Sequence, residues 1–148
     1  MKISDFVAST DVAIDVAAAD KQKLLLELAR NAASKLDLGS DRIFAELSKR
    51  EALGSTGVGG GVAIPHARFQ SVKKPFGMVL RLKKPMEYDA VDGKPVDLVV
   101  LLLLPEAAGV EPLGALATIA RKLRDPAIAA ALRGARDTAQ IYRTLTAE

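Results

Sequence analysis

A chain of 148 residues, 49% of them hydrophobic and 26% charged, has the balance of one globular domain spanning 1–148. It has no cysteine and one histidine, which excludes disulfides, thiolate catalysis and zinc–cysteine sites and leaves too few ligands for a transition metal. The net charge of +3, with no tryptophan and 4% aromatics, offers no stacking platform for a nucleic acid, and the pairs Lys73-Lys74 and Lys83-Lys84 read as solvated surface.

In chain order, Ile3, Phe6 and Val7 share one face of a short helix over 2–8, and 12–16 reads as a first strand. Asp20 caps a helix carrying Leu24, Leu25, Leu28, Ala32 and Leu36, which Gly39 ends. Ser40 caps a second helix, with Ile43, Phe44 and Leu47 inward, running to about Ala52. A glycine-rich loop leads to a strand at 62–64, and 78–82 is another strand. Asp92-Gly93 is a tight-turn signal, with a short strand or hairpin arm expected near 86–88. The nearly uniform apolar run 96–104 reads as a central strand covered on both faces. Pro112 suits a first helical position, ahead of a helix with Leu113, Leu116, Ile119, Ala120 and Leu123 on one face. Asp125-Pro126 starts another helix that Gly134 ends, and a last helix runs from about Asp137 to Leu145. Mixed strands and helices in one unit give an α/β sandwich with helices covering the sheet. The N-terminus lacks the apolar core of a signal peptide, and no run approaches the ~20 residues of a membrane span. A cytoplasmic protein without membrane insertion is expected.

The chemistry concentrates in residues 54–68. Five of the 11 glycines fall within 54–61, followed by Val62-Ala63-Ile64, then Pro65 and the lone His66. This order is expected to deliver an imidazole to the end of a strand, beside a backbone able to bind an oxyanion. Neutral imidazole is a competent nucleophile toward phosphorus at neutral pH, because its unperturbed pKa is about 6.5. Such chemistry needs positioning and charge stabilisation for the phosphoryl oxygens more than covalent machinery. Ser55 and Thr56 add hydroxyl donors. The glycines match neither a dinucleotide fingerprint nor a P-loop, so no ATP or other cofactor is expected, and the donor would be another protein or a small phosphorylated compound.

The segment from Arg50-Glu51-Ala52-Leu53-Gly54-Ser55-Thr56 through Ile64-Pro65-His66 closely resembles the active-site signature of type-2 IIA domains of the bacterial phosphotransferase system. The Gly-Ser-Thr-Gly form and the length are most similar to the nitrogen-regulatory branch, the PtsN proteins. The resemblance implies a three-layer α/β/α sandwich around a central mixed sheet. It implies phosphorylation of His66 on Nε2 by an HPr-like phosphocarrier, itself charged from phosphoenolpyruvate by an enzyme I homologue. It also implies that Arg50 lies near the phosphoryl group and offsets its charge. Ser55 and Thr56 match the family loop, either as phosphate contacts or as structural residues. Sensor kinases, potassium transport proteins and other regulators are the implied targets. The chain departs from the family where a second histidine usually opens the helix after the central strand. Here Pro112-Leu113 stands, preceded by Glu111. Proline cannot replace an imidazole donor. A phosphorylation-independent interaction module on the same fold is therefore the alternative to a phosphocarrier. A phosphotransferase with a sugar as final acceptor would need IIB and IIC components outside this chain.

Overall fold

The structure is a computed structural model describing residues 1–106 and 113–147, without the Leu113 side chain. In chain order the strands are β1 (Val7–Val16), β2 (Gly57–Gly59), β3 (Val62–Ala63), β4 (His66–Phe69), β5 (Phe76–Met86) and β6 (Val96–Pro105). The helices are α1 (Lys21–Ala33), α2 (Ser40–Ala52), α3 (Leu113–Leu123), α4 (Pro126–Gly134) and α5 (Thr138–Thr146). The strands form one mixed sheet in the order β1-β5-β6-β3-β2, with β4 also paired to β6. β1 lies parallel to β5, β5 antiparallel to β6, and β3 and β4 parallel to β6.

The apolar run 98–104 within β6 has the expected cause. Val99, Leu101 and Leu103 pack with α1 and α2 on one face, while Leu98, Val100, Leu102 and Leu104 pack with α3, α4 and α5 on the other. Alternating side chains serve two cores at once, so no position is left for a polar residue. Each such burial contributes about 1.5–3 kcal/mol. Three layers, helices over sheet over helices, follow from these two cores.

Several local expectations shift for tertiary reasons. Residues 3–5 form a single 3-10 turn instead of a helix over 2–8, and the first strand begins at Val7 instead of residue 12. Val7 pairs with Gly77, whose missing Cβ would lie 2.8 Å from the Val7 side chain. α1 ends at Ala33, not at Gly39. Leu36 still packs on the same core beyond the helix end, which is why the helical spacing runs on in the sequence. Gly39 is the residue before α2, and Ser40, read as a cap, is its first helical residue, with no side-chain cap bond made. The arm expected at 86–88 is instead the end of β5, an eleven-residue strand reaching Met86. Asp92-Gly93 does turn the chain, with Gly93 at φ 72°. Asp20 caps α1 as expected, accepting from Lys23 N, and Asp125 and Asp137, where the next two helices are expected to start, cap α4 and α5 by accepting from Ala127 and Gln140 amides. Pro112 and Glu111, where the family pattern is broken, lie outside the described residues.

The glycine cluster builds a tight hairpin. β2 and β3 pair antiparallel, Gly59 opposite Val62, so Gly60 and Gly61 form a two-residue turn with φ 66° and 79°. Positive φ at both positions is what a type I′ turn requires. Arg133 anchors this hairpin, donating to Gly60 O at 2.7 Å and pairing twofold with Asp97. Asp97 is thus a structural hydrogen-bond partner. Gly57 serves a different need. A Cβ there would lie 2.7 Å from Ala90 Cβ and 2.9 Å from Ala90 Cα. Because backbone must move to relieve it, Gly57→Ala is expected to cost about 1–3 kcal/mol in urea unfolding. A change within 0.5 kcal/mol, the scatter of surface substitutions, would show that the approach is slack.

Candidate functional site

His66 opens β4, instead of closing the preceding strand as the sequence suggests. β3 and β4 are two pieces of one line along β6. Val62 and Ala63 pair with Leu98 and Val99, and His66 to Phe69 pair with Leu102 to Pro105 at the same offset. Ile64 and Pro65 interrupt that line. Proline lacks the N–H a ladder needs, but its carbonyl accepts from Leu102 N at 3.0 Å, while Ile64 N–H turns away to Thr56 O at 2.9 Å. The interruption frees the Ile64 carbonyl, and His66 Nδ1 lies 2.8 Å from it. A carbonyl only accepts, so Nδ1 carries the proton. In the neutral ring Nε2 then holds the lone pair.

His66 and Arg68, two apart, share one face of β4, while Ala67 and Phe69 are buried on the other. Facing them is the last turn of α2. Together these elements line an open cavity of about 370 Å³, with Lys49, Arg50, His66 and Arg68 as its cationic and nucleophilic groups and Glu46 and Glu106 as its acids among the described residues. Arg50 is held there by a bond from Nη1 to Gly54 O at 2.8 Å. The structure therefore brings Arg50 and His66 to one cavity, sixteen residues apart in sequence. Burial is the main influence pushing the His66 pKa below the usual histidine value. The charges of Arg50 and Arg68 act in the same direction, opposed by the Ile64 hydrogen bond and by Glu51. Sequence reasoning missed Lys49 and Arg68. The i, i+2 spacing of Arg68 from His66 on a strand is the signal that finds it. Leu53, 82% exposed, is the apolar rim of the cavity. Phe69 and Met78 are core, and Phe76 packs against that core half-buried.

Ser55 and Thr56 lie elsewhere. Neither lines the His66 cavity, and their hydroxyls are already engaged. Ser55 Oγ donates to Tyr88 O at 3.2 Å and accepts from Gly57 N at 3.0 Å. Thr56, 3% exposed, donates through Oγ1 to Glu51 Oε1 and through N to Glu51 Oε2, and its Oγ1 lies 3.0 Å from Tyr88 OH. The hairpin turn also stays out of this cavity, and Gly60 N donates to Asp92 instead. The oxyanion-binding backbone expected from the glycines is a structural hairpin, because β-pairing and side-chain anchors consume those groups. Glu51 and Tyr88 were not legible as partners. Their signal was a carboxylate in the last turn of a helix, where it opposes the macrodipole and needs specific compensation.

Residues 5–148 match the family described as phosphoenolpyruvate-dependent sugar phosphotransferase system, EIIA 2. The chain is 46% identical to a nitrogen regulatory protein of Bradyrhizobium diazoefficiens, covering 98% of this chain and 95% of that one. It is 40% identical to a nitrogen regulatory protein of Pseudomonas aeruginosa, over 88% of this chain and 85% of that one. Its fold superposes on the crystal structure of nitrogen regulatory protein IIA-Ntr from Neisseria meningitidis with a TM-score of 0.92 at 35% identity, covering 97% and 99% of the two chains.

Proposed function

The chain belongs to the EIIA type-2 family of the phosphotransferase system, with the nitrogen regulatory proteins as relatives, and from that premise we propose that it accepts a phosphoryl group on His66 Nε2 from an HPr-like phosphocarrier. The observation that carries this reading is the bond from His66 Nδ1 to Ile64 O, which leaves Nε2 as the nucleophile beside Arg50 and Arg68.

The Nε2 lone pair attacks phosphorus, and the N–P bond forms as the bond from phosphorus to the donor breaks, its electron pair leaving with the donor. The His66 ring gains positive character during the step. Nδ1 keeps its proton, and its bond to the Ile64 carbonyl strengthens as that charge develops. Arg50, and with it Arg68, lowers the cost of bringing the phosphoryl oxygens into the cavity. Ser55 and Thr56 act on the phosphoryl group indirectly, by holding the turn that orients Ile64. Phosphorylation adds roughly two negative charges, enough to reset binding of a regulatory target, of which sensor kinases and potassium transport proteins are the family examples. The site of action is cytoplasmic; among the described residues no helix is long and apolar enough to cross a membrane.

Incubation with phosphoenolpyruvate, enzyme I homologue and HPr-like carrier tests the reading by intact mass. A gain of one acid-labile phosphoryl group supports it. No gain with an active cognate donor favours the phosphorylation-independent module.

The lowered His66 pKa sets the pH dependence. Above the usual value of about 6.5 the ring is essentially neutral, so the acceptance rate is expected to be flat from pH 7 upward and to fall only at pH values below the ordinary histidine midpoint. The same depression makes the unfolded chain the stronger proton binder between the two pKa values. This contribution to stability is full above about 6.5 and is lost as pH falls through the folded value. An NMR titration of this lone histidine with a midpoint at or above 6.5 would contradict both statements.

A further inference from the structure

Glu51 makes no bond to His66, yet its surroundings connect the two. Its side chain is 6% exposed, in a helix turn where a negative charge is disfavoured by the dipole. Burial alone would raise its pKa, but hydrogen bonds from Thr56 and Lys21 outweigh burial and hold it below the usual carboxylate value. Four donors converge on its two oxygens. Oε2 accepts from Lys21 Nζ at 2.9 Å and Thr56 N at 3.0 Å, and Oε1 accepts from Thr56 Oγ1 and Tyr88 OH. Lys21 also stacks 4.6 Å from the Tyr88 ring centre, closing the far side. Thr56 is thereby gripped by both its amide and its hydroxyl. Its carbonyl accepts Ile64 N–H at 2.9 Å, and the Ile64 carbonyl accepts His66 Nδ1–H at 2.8 Å. An unbroken set of hydrogen bonds runs from the buried carboxylate to the ring nitrogen opposite the nucleophile.

We propose that Glu51, with Lys21 and Tyr88 as its supports, is a positioning residue for His66: by clamping Thr56 it fixes the Ile64 carbonyl, and so selects the tautomer that leaves Nε2 unprotonated toward the cavity. The inference rests on His66 being the phosphoryl acceptor. If the Ile64 carbonyl drifts, the Nε2–H tautomer is no longer penalised, and a ring in that tautomer has its lone pair on Nδ1, turned away from the cavity, and none on Nε2 to offer phosphorus. Proximity effects are steep, and a displacement near 1 Å costs up to about 10²-fold in rate.

Because His66 is the only histidine, ¹⁵N labelling of histidine gives the two ring nitrogens of this residue alone. The test records them at pH 8 in wild type, Glu51→Gln, Glu51→Asp and Thr56→Val, alongside kcat and KM for transfer from the phosphorylated donor. Wild type is expected to show protonated Nδ1 and unprotonated Nε2. In Glu51→Gln, whose amide has one acceptor oxygen and presents an NH2 donor where the second oxygen stood, the two shifts are expected to converge as tautomers mix. There kcat falls by up to about 10²-fold with little change in KM. Glu51→Asp recovers part of both. Thr56→Val keeps shape and backbone bonds but loses the hydroxyl, so it moves the spectrum the same way by less. A folded Glu51→Gln protein with the wild-type ring spectrum and rate overturns the proposal. Should that variant not fold, an unshifted ring spectrum in Thr56→Val overturns it instead. Tautomer mixing in Glu51→Gln when even wild type takes up no phosphoryl group leaves the positioning role standing and refutes the phosphoacceptor reading.

Discussion

His66→Ala takes up no phosphoryl group under conditions that load wild type fully, because it removes the one imidazole of the chain, the group that is a neutral nitrogen nucleophile at neutral pH. There is no second histidine and no cysteine. The variant should remain folded. His66 is half-buried at the mouth of an open cavity, and what it loses inside the protein is one hydrogen bond, to Ile64 O. Such a bond contributes about 1 kcal/mol, and the freed carbonyl lies beside that open cavity. The measurement is intact mass before and after donor treatment, with an unfolding curve as the control for folding. A phosphoryl gain retained by His66→Ala would place the acceptor elsewhere, and acid stability of that product would identify a hydroxyl ester instead of a phosphoramidate.

Arg50→Gln is expected to slow phosphoryl acceptance by about 10²–10³-fold, the loss typical of removing one preorganised group that faces developing negative charge. Arg50 occupies the last turn of α2, and its fork is steadied by Gly54 O, so it presents charge without having to be ordered during the reaction. Arg50→Lys restores the charge but not the planar fork, and should recover only part of the rate. Stability should change little, since the guanidinium is solvated on the cavity side. Single-turnover transfer from the phosphorylated donor separates the cases. A fall in the chemical rate at saturating donor supports direct charge stabilisation, whereas an effect confined to KM would assign Arg50 to partner docking. The His66 titration provides a second readout. Removing a neighbouring positive charge should raise its midpoint toward the ordinary value.

The parts of this molecule legible in the sequence are those governed by local pattern. The nearly uniform apolar run 96–104 reads as a strand buried on both faces, and the structure covers it with helices on each. The stripes of α1 and α3, the Asp20 cap of α1 and the turn at Gly93 are set by spacing and backbone stereochemistry within a few residues. His66 was likewise singled out by its neighbours Pro65 and the glycines, and Arg50 by its match to the family signature.

Only the tertiary structure decided what those residues do for one another. The start of β1 at Val7 depends on Gly77, seventy residues away, having no side chain. The glycines looked like an anion-binding loop because flexibility is all that composition reveals. Their use as a hairpin depends on strand pairing with Val62 and on Arg133 from α4. Ser55 and Thr56 looked like phosphate donors because a hydroxyl has no visible partner in a sequence. In the fold Tyr88 and Glu51 claim both. The packing of α2 beside β4 puts Arg50 and Arg68 on one cavity, and the Ile64 carbonyl chooses the nitrogen by which His66 faces it. Local pattern supplied the nucleophile, but its tautomer is a matter of which carbonyl lies within 3 Å, and that is a distance only the packed chain defines.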